Sequence, residues 1–275
     1  MSSNSERVTI SVVDRVADVR MVRADKRNAL DNAMFSALAD VGEQLKTMKD
    51  VRAVVLSGEG ASFCAGLDFG SFQAMANSKE TTEVTPRVNA GDITNGRITH
   101  LAQQVCWVWQ EIPVPVIAAI HGHALGGGLQ MALGTDIRIV HPDTQLSIRE
   151  VHWGLIPDMT GTLMLSRVVR PDVAKELVFS ARIFSGREAF ELGVATRLSN
   201  DPLNDALALA AEISQRSPDA IRGAKQLLNR IANAGAAEQF AEERRVIGQL
   251  IGSPNQVEAV MAHFGKRPAS FTDSI

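Results

Sequence analysis

The chain has 275 residues, of which 45% are hydrophobic and 21% are charged, so it can form a large α/β domain without disulfides or a metal to stabilise it. Its net charge of −3, with no basic stripe, argues against nucleic acid as a partner. No stretch of about 18 apolar residues occurs, so no membrane span is expected, and the polar first residues favour a cytoplasmic location. Cys64 and Cys106 are too few for a disulfide framework and are expected to be reduced and buried.

The first part of the chain alternates short apolar strands with a helix. Val8–Val13 and residues 16–22 predict a pair of strands, and residues 51–57 predict a third. Between them, Asp31 or Asn32 offers a helix cap. Apolar residues follow the cap at helical spacing, namely Phe35, Leu38, Val41, Leu45 and Met48. This order indicates a βαβ unit.

The remainder of the chain changes character twice. Residues 70–96 are rich in Ser, Thr, Asn and Glu and predict a mobile loop. A helix over 98–112 and strands over Val116–Ile120 and Ile137–Val140 follow. Helices then dominate, over 172–180, Gly186–Leu192, 202–215, Pro218–Ala232, 237–251 and 255–264. The expected division is a strand-rich core of residues 1–200 and a helical region of residues 201–275.

Two glycine-containing turns have the backbone chemistry of an anion site. Residues 62–68 (SFCAGLD) follow the third strand, and residues 121–130 (HGHALGGGLQ) follow Val116–Ile120 and open a helix. Glycines let N–H groups approach a ligand closely, and a helix N-terminus favours negative charge. Two such donors on a thioester oxygen would stabilise an enolate, each by roughly 3–4 kcal/mol in a transition state. The residues alone also permit simple helix–strand packing or a phosphate site.

Together, FCAGLD and HGHALGGG resemble the two oxyanion segments of the crotonase (enoyl-CoA hydratase/isomerase) family, and the resemblance covers residues 8–271. It implies an α/β fold, a crotonase-type ββα superhelix with a helical C-terminal region. It also implies that the N–H groups of Leu67 and Gly127 form the oxyanion hole. The same segments supply three residues expected against the substrate, Ala65, Asp68 and Gln130.

The family's hydratases use two glutamates, one two residues after the glycine run and one four residues before a G-x-I-P-type turn. Here the first position holds Gln130 and the second holds Glu150. An amide cannot give or take a proton at useful pH, so hydration by the two-glutamate route loses one partner. Gln130 is then either a ligand-positioning residue or a polar residue without a role.

Asp158 follows Glu150 by eight residues and compensates for the missing acid. The segment REVHWGLIPDMTGT resembles Δ3,5-Δ2,4-dienoyl-CoA isomerases, in which a glutamate and an aspartate at this spacing shuttle a proton. Simple Δ3-Δ2-enoyl-CoA isomerases keep only the Glu150-type residue. An apolar wall would tune the carboxyl pKa for neutral pH, and three residues are candidates for it, Trp153, Leu155 and Ile156. The alternative for Asp158 is the N-cap of a helix over 159–168.

Two basic segments resemble the family's CoA-binding elements. RADKRNAL contains Lys26 and Arg27, which suit phosphate contacts, and Ala29, which is expected at the substrate. FGKRP, near the end, contains Lys266, which the resemblance places near the CoA phosphates. The resemblance thus assigns CoA binding and the active site to the core, and trimerisation with a further CoA contact to the helical region. A homotrimer or a dimer of trimers is expected.

An enoyl-CoA isomerase is the leading expectation. Leu67 and Gly127 would hold the enolate oxygen, and Glu150, with Asp158, would move the proton. CoA arrives with the substrate, so no metal or redox cofactor is required. Two alternatives stay open, a hydratase that uses Glu150 alone and a catalytically weak acyl-CoA-binding protein, which the glutamine at position 130 suggests.

Overall fold

A computed structural model of the chain describes residues 3–4, 7–68, 70 and 97–271. The predicted mobile loop at 70–96 therefore lies, except for Gly70, outside the described residues. The strands, in chain order, are β1 Ser3–Asn4, β2 Val8–Val13, β3 Val16–Met21, β4 Ala53–Gly58, β5 Val116–Ile120, β6 His123–Leu125, β7 Ile137–Val140, β8 Gln145–Ser147, β9 Phe184–Ser185 and β10 Arg197–Leu198.

The α-helices of the described part are α1 Asn32–Thr47, α2 Leu101–Glu111, α3 Gly127–Leu133, α4 Gly161–Val168, α5 Pro171–Ser180, α6 Gly186–Leu192, α7 Pro202–Ser214, α8 Pro218–Ala232, α9 Ala236–Leu250 and α10 Pro254–Phe264. Two 3₁₀ turns, Ala24–Lys26 and Glu150–Trp153, complete the set. The predicted helices from α5 to α10 agree with these bounds to within one residue. None of the described helices is both long enough and apolar enough to cross a membrane.

A mixed sheet forms the centre of the fold, with strand order β1-β2-β3-β4-β5-β7-β10 in the described residues. The first three strands pair antiparallel, and from β3 onward the pairs are parallel. The connection β3–α1–β4 confirms the predicted βαβ unit. Every residue of β4 and β5 is buried, as expected for parallel strands covered on both faces. The mixed α/β fold confirms the expected class.

Helices cover the two faces of this sheet. The larger apolar cluster joins one face to α1 and α2. On the other face, Ala206 and Ala210 of α7 pack against Val55, Ile117 and Ala119. The helix that begins just after residue 200 therefore completes the sheet packing. The two cysteines are free and buried, as expected.

A second, small sheet and the last two helices surround the glycine turns. β6 pairs parallel with β8, and β8 pairs antiparallel with β9; this sheet was not predicted. An apolar cluster joins Leu67 and the expected wall residues to α9 and α10, through Trp153, Leu155, Ile156, Ile247, Leu250 and Val260. The C-terminal helices thus reach the region where the sequence places the site.

Candidate active site

The two glycine-containing turns lie side by side. The Cys64 amide donates to the His123 carbonyl at 2.9 Å, and the Leu125 amide donates to the Cys64 carbonyl at 3.1 Å. An added β-carbon at Gly128 would lie 2.5 Å from the Cys64 carbonyl oxygen. Gly128 is therefore needed for close packing, as one of the open alternatives proposed. The same packing brings together the two segments that carry the predicted donors.

The amides of Leu67 and Gly127 are placed as potential donors. On either side of Leu67, the Leu30 amide donates to Gly66 at 2.8 Å and the Asp68 amide donates to Leu30 at 3.0 Å. In such a parallel bridge the central residue turns its own N–H away from the partner. Gly127 is the first residue of α3, where an amide has no acceptor within the helix. The backbone at Gly66 comes close to Gly127, with 3.8 Å between an added Gly66 β-carbon and the Gly127 nitrogen.

Glu150 lies against Gly126, the residue before the Gly127 donor. It begins the 3₁₀ turn Glu150–Trp153, and its residue is 9% exposed. At Gly126, whose φ is +52°, an added β-carbon would lie 3.0 Å from Glu150 Oε1, so the glycine leaves room for the carboxyl group. Oε2 is buried and has no hydrogen-bond partner among the described residues. Burial raises the pKa of Glu150 to about 8, and the charge of Asp158 contributes in the same direction.

Both the nitrogen and the oxygen of the Gln130 side-chain amide form hydrogen bonds within this site. Its Nε2 donates to Glu150 Oε1 at 2.5 Å. Its Oε1 accepts from the amides of Met159 and Gly161, both at 3.0 Å. An added β-carbon at Gly161 would lie 2.3 Å from that oxygen, so the position requires glycine. The geometry favours a positioning role for Gln130 over no role, since it links Glu150 to the turn that follows Asp158.

Asp158 is not the cap of a helix over 159–168. Helix α4 begins at Gly161, and its N-cap is Thr160, without a side-chain capping bond. The alternative that Asp158 caps this helix is wrong, because Thr160, in a left-handed conformation, is the N-cap and lies between Asp158 and the helix. Burial raises the pKa of Asp158 to about 7, with a further contribution from the charge of Glu243.

Glu243, on α9, is a third carboxylate of the site, and the sequence reasoning missed it. It is 2% exposed and accepts from the Thr160 amide at 3.1 Å and from Thr162 Oγ1 at 2.5 Å. Burial raises its pKa as well. A signal did exist, because Glu243 lies between Phe240 and Ile247 on the apolar face of a predicted helix, where an acid is unexpected.

The predicted substrate-binding residues fall into three groups. Lys26 and Arg27 are exposed on a turn, and the Ala65 amide donates to the Arg27 carbonyl at 2.9 Å, so that turn adjoins the oxyanion loop. Asp68 forms an ion pair with Arg23 at 2.8 Å. Two residues complete the set: Ala29 is buried, whereas Lys266 is exposed after α10 and has no hydrogen bond to the others in the described part of the chain. Their contact with substrate stays a prediction.

Comparison with known proteins gives a consistent result. The family model described as Enoyl-CoA hydratase/isomerase matches residues 12–274. The mitochondrial methylglutaconyl-CoA hydratase of Mus musculus is 32% identical over 90% of this chain and 77% of its own length. The mitochondrial Delta(3,5)-Delta(2,4)-dienoyl-CoA isomerase of Mus musculus is 34% identical over 81% of this chain and 68% of its own length. A crystal structure of an enoyl-CoA hydratase/isomerase from Pseudoalteromonas atlantica T6c superposes with a TM-score of 0.82 at 25% identity, covering 96% of this chain and 99% of that one. The chain therefore belongs to the enoyl-CoA hydratase/isomerase family, the crotonases.

Proposed function

We propose that this protein shifts a double bond in an enoyl- or dienoyl-CoA through an oxyanion-stabilised enolate. The observation that carries the proposal is the free carboxylate oxygen of Glu150. Oε2 is buried, has no partner among the described residues, and belongs to a group that lies against Gly126, next to the Gly127 amide. A buried carboxyl oxygen without a partner is costly unless a ligand uses it.

The proposed reaction needs one proton removed and one returned. The Glu150 or Asp158 carboxylate takes a proton from carbon 2 of the acyl chain, and the electron pair moves onto the thioester oxygen. The amides of Leu67 and Gly127 stabilise that oxyanion. A carboxylic acid then returns a proton at carbon 4 of an enoyl chain, or at carbon 6 of a dienoyl chain, and the carbonyl re-forms. Two carboxyls make the longer transfer easier.

The raised pKa values suit this chemistry. A base is most effective when its pKa lies near the working pH, and burial raises the pKa of Glu150 to about 8 and of Asp158 to about 7. The two groups can then exchange roles as acid and base near neutrality. Because the deprotonated form starts the reaction, the rate is expected to rise with pH through this range.

Hydration is the second candidate, because the relatives include a hydratase. The hydrogen bonds of Gln130 argue against the two-acid route. Its oxygen accepts from two backbone amides and its nitrogen donates one N–H to Glu150, and an amide cannot act as the second acid or base. A hydratase would have to work with Glu150 alone.

The decisive experiment compares reactions on one enzyme preparation. Crotonyl-CoA, a 3-enoyl-CoA and a 3,5-dienoyl-CoA are each incubated in deuterated water, and products and deuterium uptake at carbon 2 are followed by mass spectrometry. Isomerisation with exchange, lowered about 10²–10⁴-fold in Glu150→Gln, is expected. Rapid hydration of crotonyl-CoA that Glu150→Gln abolishes would make the protein a hydratase. Binding of CoA esters without any exchange would make it an acyl-CoA-binding protein.

The binding and assembly parts of the proposal follow from the family. The CoA thioester is the substrate, with Lys26, Arg27 and Lys266 near its phosphates, and the proposed steps use no other cofactor. We propose a homotrimer or a dimer of trimers. The exposed apolar side chains of α8, Leu227, Leu228 and Ile231, support an assembly that covers them. Light scattering of the purified protein tests the assembly.

A further inference from the structure

The turn that follows Asp158 is held from two sides. Three successive amides, those of Met159, Thr160 and Gly161, all donate hydrogen bonds. The first and third donate to Gln130 Oε1 at 3.0 Å. The middle one donates to Glu243 Oε2 at 3.1 Å. The position of Asp158 therefore depends on one acceptor from α3 and one from α9.

The middle residue of this turn is in an unusual conformation. Thr160 has a φ of +69°, in the left-handed region that β-branched residues rarely adopt. Its hydroxyl oxygen is buried and has no hydrogen-bond partner in the described part of the chain, so the side chain does not stabilise this conformation with a bond of its own. Surrounding groups must hold it, and the Glu243 carboxylate is the acceptor for its amide.

Both carboxylate oxygens of Glu243 accept hydrogen bonds. Besides the Thr160 amide, it accepts from Gln103 Nε2 at 3.1 Å and from Thr162 Oγ1 at 2.5 Å. Gln103 is fixed in turn, because Arg244 donates to its amide oxygen at 2.8 Å. The Thr160 amide, Gln103 Nε2 and Thr162 Oγ1 all donate to the Glu243 carboxylate. These bonds favour its charged form and offset part of the cost of burial.

We propose that Glu243 is a positioning residue of the proton shuttle. It holds Thr160 in the left-handed conformation that orients Asp158, and it places a negative charge behind that aspartate. The inference rests on the proposed function, since it assumes that Asp158 carries a proton. It assigns to the C-terminal helix α9 a part in catalysis that needs no contact with substrate.

The electrostatic part of the proposal concerns few groups. Glu150 and Glu243 both interact with Asp158, and the charge of Glu243 raises its pKa. Other titratable groups nearby have shifted pKa values, and burial lowers the pKa of His152, which lies two residues after Glu150. Burial keeps the pKa of Cys106 well above its usual value. Burial and Arg244 lower the pKa of His100 to about 4, and Arg244 itself stays a cation. A change in the pH profile that occurs in Glu243→Gln and is absent from a control variant on the same helix therefore reports on the charge of Glu243.

The first test removes the charge and keeps the shape. Glu243→Gln retains an amide oxygen for Thr160, so the turn should stay in place. Without the negative charge, the pKa of Asp158 should fall, and the ascending limb of the exchange rate with a 3,5-dienoyl-CoA should move about one pH unit lower with KM unchanged. Glu242→Gln is the matched control, because this neighbour on α9 is exposed and pairs with Arg245. A limb that coincides in Glu243→Gln and Glu242→Gln would overturn the electrostatic part.

The second test removes the acceptor. Glu243→Ala should lower kcat for exchange about tenfold, and adding Thr160→Gly should restore most of it, because glycine adopts positive φ without an acceptor to hold it. Absence of rescue, in folded protein, would overturn the positioning part.

Crystal structures of the same variants give a reading that does not depend on activity. In Glu243→Gln the Thr160 φ should stay positive, and in Glu243→Ala it should leave the left-handed region. An unchanged Thr160 in Glu243→Ala would overturn the proposal even in an active enzyme. If instead the unmodified protein exchanged no protons with any enoyl-CoA, the proposed function would fail, and the Thr160 conformation would still decide whether Glu243 positions the turn.

Discussion

Acids with little solvent exposure occur in two regions of the described part of this molecule, and only one region supplies a cation as partner. Asp136 is paired with Lys225 at 2.6 Å and also accepts from the Val116 amide at 2.8 Å. The ammonium group of Lys225 makes two further bonds, to the carbonyls of Trp109 and Val114. All three protons of Lys225 are therefore used, and the pair fastens α8 to the central sheet.

The second region is the carboxyl cluster, which consists of Glu150, Asp158 and Glu243. No lysine or arginine forms a salt bridge with any of the three in the described residues. Amides and a hydroxyl are their hydrogen-bond partners, and the pKa of each is raised. A cation would lower these pKa values and fix the charge. Without such a cation, the pKa values of Glu150 and Asp158 stay near neutral pH, which suits proton transfer.

Glu150→Gln should have the largest effect, with a lower exchange rate and a higher stability at high pH. Exchange at carbon 2 should fall about 10³-fold. The stability of the variant should rise while its activity falls. The pKa of Glu150 is about 8 in the folded protein and about 4.5 in the unfolded chain. The protonated carboxyl therefore favours folding fully below pH 4.5, and this contribution is lost as the pH rises through 8. At pH 9 the variant should be more stable by about 2 kcal/mol in urea unfolding, with no gain at pH 4. The exposed Glu242→Gln serves as the control, and equal stability of Glu150→Gln and wild type at pH 9 would contradict the prediction.

Lys225→Met should have the opposite outcome. Removing the ammonium leaves the half-buried Asp136 without its cation and two buried carbonyls without their donor, which should lower the free energy of unfolding by about 3 kcal/mol. The exchange rate of the folded enzyme should be unchanged, because Lys225 lies outside the carboxyl cluster. Lys175→Met, at an exposed position, is the matched control. A loss of exchange activity in folded Lys225→Met would mean that the two regions are coupled.

Gln130→Glu tests whether the missing acid decides the reaction. A carboxylate can still accept from the Met159 and Gly161 amides, while its second oxygen would share a proton with Glu150. The ratio of crotonyl-CoA hydration to isomerisation should rise about tenfold, because a second carboxyl can now assist the attacking water. Gln130→Met, which restores no acid, should lower both activities. A ratio that does not change in Gln130→Glu would show that this position does not select the reaction.

Asp158→Asn should give the smallest effect on a simple 3-enoyl-CoA, for which Glu150 alone can move the proton. The charge of Asp158 raises the pKa of Glu150, so its removal should move the ascending limb of the pH profile lower by about half a unit. The same variant should lose far more activity with a 3,5-dienoyl-CoA. Equal losses with the two substrates would contradict the assignment of Asp158 to the longer transfer.

Much of the molecule follows from local patterns. The helices of the last third show clear 3.6-residue periodicity, most of them have Pro or Ser at their starts, and their bounds were predicted closely. The two glycine segments and Glu150 could be named as candidates from the sequence, because each motif is short and its residue types are specific. The small sheet of β6, β8 and β9 was missed, since its strands are only two or three residues long and carry no periodic signal.

By itself, the sequence determined the fold class, the family and the candidate donors and acids of the site. Only the tertiary structure decided the hydrogen-bond partners and the pKa values of these acids. Whether Asp158 caps a helix depends on the conformation of Thr160, whose amide donates to a carboxylate 83 residues further along the chain. The role of Gln130 likewise appears only when its amide meets Glu150 and the turn after Asp158. The pKa of a buried acid is set by the groups packed around it, and those come from distant parts of the sequence.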